Sequence, residues 1–320
     1  MFKNLSINLK LPLTIGFITF LVMAIIYLML SSTLQRTSID NVTRNAQLSA
    51  ASSAYSLAEV VNTASNTARA FAATSANIIE SGMIPAEHIR AAVLSELKAL
   101  LAGDKRISNM WVIFEPNALD GRDNYFVGDT AMGSTSSGVF APWIVDNVVH
   151  ALEEEDGMMF FNAAKSAMRE VLTEPYSYEL QGQTYHMVSL CIPIFVNKRF
   201  VGVAGTDFFA HELLDKIKTF DDNATGRLVT DKGIIAISSN LEEISTNIVD
   251  NQHDISDGLA EGILFDGMFE DDGEVYYKVF IPVQLGENAN LWFYTKSTPQ
   301  AEIYAQANAT EKLLIIYCLF

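Results

Sequence analysis

Leu11 to Leu30, LPLTIGFITFLVMAIIYLML, is a predominantly apolar stretch of twenty residues that carries no charge. That length crosses a bilayer as a helix. Lys3 and Lys10 precede it and place the N-terminus in the cytoplasm by the positive-inside rule. A cleaved signal peptide is the alternative, but its apolar core is shorter and an A-x-A-like site should follow, whereas the chain continues SSTLQRT. From Thr33 to Ser81 the pattern changes to Ala, Ser, Thr and Asn, with no Gly or Pro until Gly82. Apolar positions there recur at Leu57, Val60, Val61, Ala64, Ala68, Phe71 and Ala72, a helical stripe. Such a helix spans about 70 Å, longer than one globular lobe requires. It reads as a stalk rising from the membrane, and Gly82 and Pro85 end it.

Past a short helix over Pro85–Leu101, the period shortens toward two. Ile107–Phe114 predicts a strand, then comes the turn-rich EPNALDGRDN and an extended Tyr125-Phe126-Val127. Helical patches are expected at Trp143–Leu152 and Phe160–Leu172. Two long strands follow, Thr184–Phe195 and Phe200–Thr206, joined by a tight turn at Asn197-Lys198-Arg199, and Phe208–Phe220 predicts a helix leaving them. A second set comprises strands at Gly226–Thr230, Gly233–Ser238, Val275–Val283 and Leu291–Lys296, with a helix near Ser256–Leu264. Each set is of a size to make one α+β lobe, with the boundary near Asp221. After Pro299 the chain turns helical again, and Leu313–Phe320 is wholly apolar, the beginning of a second membrane helix.

Composition narrows the function. Acidic residues outnumber basic ones 38 to 21, for a net charge of −17, which excludes the basic face that nucleic acid needs. The two cysteines, Cys191 in a strand and Cys318 in the apolar tail, form no disulfide framework, and the five histidines lack metal-site spacing. Gly133 to Gly138 has phosphate-loop glycine spacing, but Val139 and Phe140 stand where its Lys and Ser/Thr belong. His211-Glu-Leu-Leu-Asp215 falls one residue short of a zinc-protease helix, and no G-x-S-x-G occurs. The Glu153–Asp156 and Glu270–Asp272 runs flank glycines and read as solvated turns. No cofactor is implied.

The Phe200–Thr206 strand is punctuated by Gly202 and Gly205, as though something approaches its backbone closely, and it delivers Asp207 at its end. A lone carboxylate on a buried sheet, with no nucleophile beside it, reads as a binding site. The plainer alternative is that Asp207 caps the helix starting near Phe208.

Three motifs in order carry a family resemblance: Trp111–Asp123 (WVIFEPNALDGRD), Thr173-Glu-Pro-Tyr176 with Met187-Val-Ser189 and Pro193-Ile194, and Val201–Asp207 (VGVAGTD). With the anchor and the long helix, they resemble the double-Cache sensor region of bacterial methyl-accepting chemotaxis proteins over most of residues 34–310. The resemblance implies an α+β fold, two stacked Cache (PAS-like) lobes on a stalk helix between transmembrane helices. Its parts would be a cytoplasmic end (1–10), a membrane helix (11–31), the stalk (32–81), a distal ligand-binding lobe (82–220), a proximal lobe (221–298) and a descending helix (299–320). It further implies a homodimer in the inner membrane, a periplasmic small-molecule ligand, and a cytoplasmic signalling region on the same chain rather than an enzyme. Amino-acid-binding members carry an Arg-x-Trp, a later aromatic and the strand-end Asp. Here Trp143 and Asp207 match, Phe160 or Phe161 supplies the aromatic, and the Arg position is Ala141. Without that guanidinium an α-carboxylate loses its two-point clamp, whereas aromatic faces with a carboxylate suit an amine or similar compact cation. Tyr125 and Tyr185 complete the candidate set; the aromatics read equally as ordinary core. The same lobes serve histidine kinases and diguanylate cyclases, and a hydrolase built from dispersed acids is the weaker alternative.

Overall fold

A computed structural model describes residues 7–180, 182–218, 226–249, 253–271, 273–287 and 290–305. The lobe boundary near Asp221 and the Leu313–Phe320 segment lie outside them.

The N-terminal apolar stretch and the stalk form a single helix, α1 (Ile7–Ser81), of 75 residues. At 1.5 Å per residue that is about 110 Å. No Gly or Pro lies between Gly16 and Gly82, so the membrane-type and Ala/Ser-rich segments merge without a joint. Gly82, at φ +59°, ends it in the left-handed conformation that glycine tolerates. The apolar stretch is long and apolar enough to cross a membrane, and none of it is buried. Further along, Leu57, Val61, Ala64, Ala68 and Phe71 are buried, as their spacing predicts.

The described residues within Ala50–Phe265 and Phe280–Lys296 form one compact unit, and those within 7–49, 266–279 and 297–305 form another. In the second, Gln47 on α1 donates to Asp266 and Tyr277, and Lys278 pairs with Asp271 at 2.8 Å. The first unit contains a seven-stranded antiparallel sheet of β1 (Asn109–Phe114), β2 (Pro142–Val145), β3 (Val148–Ala151), β4 (Val171–Leu172), β5 (Tyr176–Leu180), β6 (Gln183–Val196) and β7 (Arg199–Phe209). The order is β3-β2-β1-β7-β6-β4, with β5 also on β6. Helix α2 (Ala86–Gly103) packs on β1 and β2, and α3 (Glu154–Ala167) on β6 and β7. After α4 (Ala210–Lys218), the later strands make a separate five-stranded sheet. They are β8 (Gly226–Val229), β9 (Ile235–Ile237), β10 (Phe265–Asp271), β11 (Glu274–Gln284) and β12 (Leu291–Pro299), in the order β10-β11-β12-β8-β9, with α5 (His253–Glu261) between β9 and β10. The two sequential strand sets thus form two sheets without exchanging a strand.

Several local expectations are corrected. Trp143–Leu152 is a hairpin rather than a helix, because Asp146 and Asn147 both take positive φ (51° and 63°), the two-residue turn that matches strand twist. The second helical patch ends early: Met168 turns left-handed at φ 52° and β4 follows. Tyr125 closes a 3-10 turn over Asp123–Tyr125 instead of starting a strand. The strand carrying Asp207 runs on to Phe209, so α4 begins at Ala210 and Asp207 does not cap it. Strands β5 and β10 are additional to those expected.

The loop between β1 and β2 is pinned by Arg90 on α2, which is 1% exposed. Its guanidinium reaches Asp120 at 2.8 Å, Asp123 at 2.5 Å, Ser134 and the Gly138 carbonyl, and lies 4.3 Å over the Phe126 ring. A charge so buried is tolerable because its donors are met.

Candidate functional site

Asp207 lies in β7 directly opposite Ser189 in β6, and Gly205 lies opposite Trp111 in β1. A Cβ on Gly205 would stand 2.3 Å from Trp111 Cζ2, so only glycine lets the indole lie across β7. Laid there, Trp111 donates its Nε1–H to Asp207 Oδ1 at 2.9 Å. Ser189 Oγ donates to the same oxygen at 2.5 Å, which leaves the Tyr176 hydroxyl, 2.6 Å away, as donor to Ser189. Asn109 clips the Asp207 backbone, its Nδ2 donating to the carbonyl at 2.8 Å and its Oδ1 accepting from the amide at 3.0 Å. The same Oδ1 accepts from Trp143 Nε1 at 3.4 Å. Ser189 is fixed in turn by Thr173, whose amide donates to its carbonyl and whose hydroxyl accepts from its amide.

Asp207 is 6% exposed. Burial pushes its pKa up to about 6, partly offset by the bonds from Ser189 and Trp111. The Tyr176 hydroxyl is pushed up by burial and by Asp207 beside it, so it stays a donor. Among the described residues, the hydrogen bonds to the carboxylate all fall on Oδ1.

Around the carboxylate stand Trp111, Trp143, Phe160, Tyr176 and Tyr178, which with Leu152 and Met187 line a cavity of about 10 Å³, room for about one water. The rings interlock: Trp111 and Phe160 centroids are 5.6 Å apart, Phe160 and Tyr176 5.3 Å, and Trp143 meets Tyr178 edge-on at 5.7 Å. No lining residue is cationic. Such a chamber sets one carboxylate beside several aromatic faces.

Of the residues singled out from sequence, Trp143, Phe160 and Asp207 meet here. Phe161 points elsewhere, its ring 5.3 Å from Phe200 beside a neighbouring cavity of about 270 Å³. Tyr125 is 71% exposed with the Arg122 guanidinium over its ring. Tyr185 packs on Phe209 and His211 and donates to Gln183. Trp111, Tyr176, Tyr178, Ser189 and Asn109 were not singled out, although Trp111, Tyr176 and Ser189 sit inside the quoted motifs. The signal that would find them is cross-strand pairing with Gly205 and Asp207.

No family model matches the chain. The chain is homologous to methyl-accepting chemotaxis protein TlpQ of Pseudomonas aeruginosa, at 22% identity over 262 residues, 72% of this chain and 36% of that protein. It therefore spans about a third of its curated relative. Among solved structures it is similar to methyl-accepting chemotaxis protein X, with a TM-score of 0.70 and 22% identity, covering 82% of this chain and 98% of the other. The extracellular domain of mmHK1S-Z3, assigned as a histidine kinase, gives 0.61 and 22% over 82% and 98%. The ligand-binding domain of the P. aeruginosa amino acid chemoreceptor PctB, in complex with L-Gln, gives 0.57 and 16% over 85% and 98%. The α+β fold is the one found in chemoreceptor sensory domains.

Proposed function

We propose that this chain is the extracytoplasmic sensing region of a membrane-anchored chemoreceptor and that it binds a small amine in the aromatic chamber around Asp207. The observation that carries this reading is Asp207 itself, buried, held through one oxygen and walled by π faces. The anchor is the exposed apolar stretch of α1, and the homology to TlpQ supports the receptor assignment. PctB is an amino acid receptor. In this chain the position of the expected Arg is Ala141, 0% exposed, and no guanidinium lines the Asp207 cavity. An ammonium is therefore favoured over an α-carboxylate. The charge pair would be desolvated, where a charge-assisted hydrogen bond contributes about 1.5–3 kcal/mol and a cation–π contact about 2.

Signalling would pass, in a homodimer, through the segment that follows Pro299, moving relative to α1, to a cytoplasmic region of the same chain. The test is a thermal-shift screen of the chain in nanodiscs against primary amines, amino acids, organic acids and purines. Amines should stabilise it; stabilisation by carboxylates or purines alone would overturn the reading.

A second reading, an input domain of a histidine kinase, is favoured by the likeness to mmHK1S-Z3. Sequencing the gene downstream of Phe320 separates the two. A kinase domain there would replace the chemoreceptor assignment and leave the binding chemistry untouched.

A further inference from the structure

The chamber around Asp207 has room for little more than one small group, so an ammonium bearing a larger body must take volume from a neighbour. Two larger cavities adjoin it. One, of about 280 Å³, shares Asp207 but lies behind the sheet, among Thr206, Phe208 and the α1 residues Val60 and Ala64. The β7 backbone, paired to β1 on one side and β6 on the other, stands between it and the carboxylate. The other, of about 270 Å³, has one lining residue in common with the chamber, Leu152. Leu152 is 6% exposed and follows β3, its amide donating to the Ala141 carbonyl at 2.8 Å. Its backbone is thus held, and as the residue common to both linings it is the one whose rotamer change would join the two spaces.

The larger space has an apolar interior: Ile113, Val139, Ala141 and Phe161 line it. Its polar residues are already engaged. Glu153 accepts from the Ser136 amide and hydroxyl, Thr135 Oγ1 from the Val139 amide, and Glu115 pairs with Lys165 at 2.6 Å. Ala141 matters here: where the resemblance leads one to expect a guanidinium, a methyl leaves this space open and adds no charge to it.

We propose that the ligand is an amine bearing an apolar body, its ammonium on Asp207 and its body in the compartment behind Leu152. The proposal rests on the amine reading above and adds the class of substituent. Burial of each methylene favours binding roughly fourfold, so a phenyl-sized body should raise affinity at least tenfold over a bare ammonium.

The experiment is calorimetry on the full chain in nanodiscs at pH 7.5, with methylammonium and 2-phenylethylammonium as probes. Wild type should bind the phenyl-bearing probe at least tenfold tighter. Ala141→Val and Val139→Phe fill the compartment from two sides and should collapse that ratio while sparing methylammonium; Leu152→Ala should raise it. Equal binding of the two probes, or a ratio that neither filling variant changes, refutes the compartment. Asp207→Asn separates the two levels. If it abolishes both probes while the ratio stays insensitive to filling, the compartment alone fails. If it leaves methylammonium affinity intact, the cation site fails and the compartment with it.

Discussion

Replacing Asp207 by Asn should stabilise the unliganded protein and impair it as a receptor. The carboxyl is shifted from 3.8 to about 6, chiefly by burial. At about 1.4 kcal/mol per unit, ionising it in the folded state costs about 3 kcal/mol relative to the unfolded chain. The sign follows from proton counts. Between pH 4 and 6 the folded state holds a proton the unfolded state has released, so stability falls as pH rises through that window. The penalty is absent below about pH 4 and complete above about pH 6. Asparagine keeps the shape and still accepts from Trp111 and Ser189, but never ionises. At 2–4 °C per kcal/mol for a domain of this size, the variant should melt several degrees above wild type at pH 7.5. That advantage should vanish by pH 4. Other carboxylates titrate in the same range, but they cancel in the difference between two proteins measured across pH by differential scanning fluorimetry. Amine affinity should move the other way, falling at least tenfold at pH 7.5. Parallel melting curves from pH 4 to 7.5 would refute the argument, since they would mean that the charge costs nothing where it stands.

Ser189→Ala removes a bond that holds the Asp207 pKa down and leaves the Tyr176 hydroxyl without its acceptor. The pH-dependent melting step should shift upward, with a loss of about 1–3 kcal/mol. Arg90→Met strands Asp120 and Asp123 without their cation and should cost about 3–5 kcal/mol, read as an early thermal transition. Gly205→Ala places a methyl inside contact distance of Trp111; amine binding should be lost in calorimetry even where far-UV dichroism is retained. A normal affinity in that variant would remove Trp111 from the site.

The fold was legible where signals are local. The stripe on α1, the helix stop at Gly82 and the division of strands into two sets follow from spacing and from glycine. What stayed hidden depends on pairing across the sheet. Counting outward from the Asn197-Lys198 turn pairs Val196 with Arg199 and would set Val188 opposite Asp207. A register shift near Ile194 and Phe195 inserts Val201 and brings Ser189 there instead. One residue of slip exchanges the faces of a strand, so a bulge whose Val201 carbonyl accepts from the Glu115 amide, over eighty residues away, decides which side chain holds the carboxylate. The Asp146-Asn147 turn was the opposite case, a local signal overlooked because Trp143–Leu152 is short and apolar enough to read as helix. Asp207 stands out in the sequence by its place near a strand end, but the groups that surround it, Trp111, Ser189 and Tyr176, come from three other strands.

The central claim, that the aromatic chamber at Asp207 receives a cation, is open to one direct measurement. The chain has three tryptophans; Trp111 and Trp143 line the chamber, and Trp292, buried in β12, belongs to the other sheet. Fluorine NMR of the 5-fluorotryptophan protein in nanodiscs, titrated with 2-phenylethylammonium, should shift the Trp111 and Trp143 resonances saturably and leave Trp292 in place. Movement of Trp292 alone, or of none of the three while calorimetry reports binding, would contradict the account.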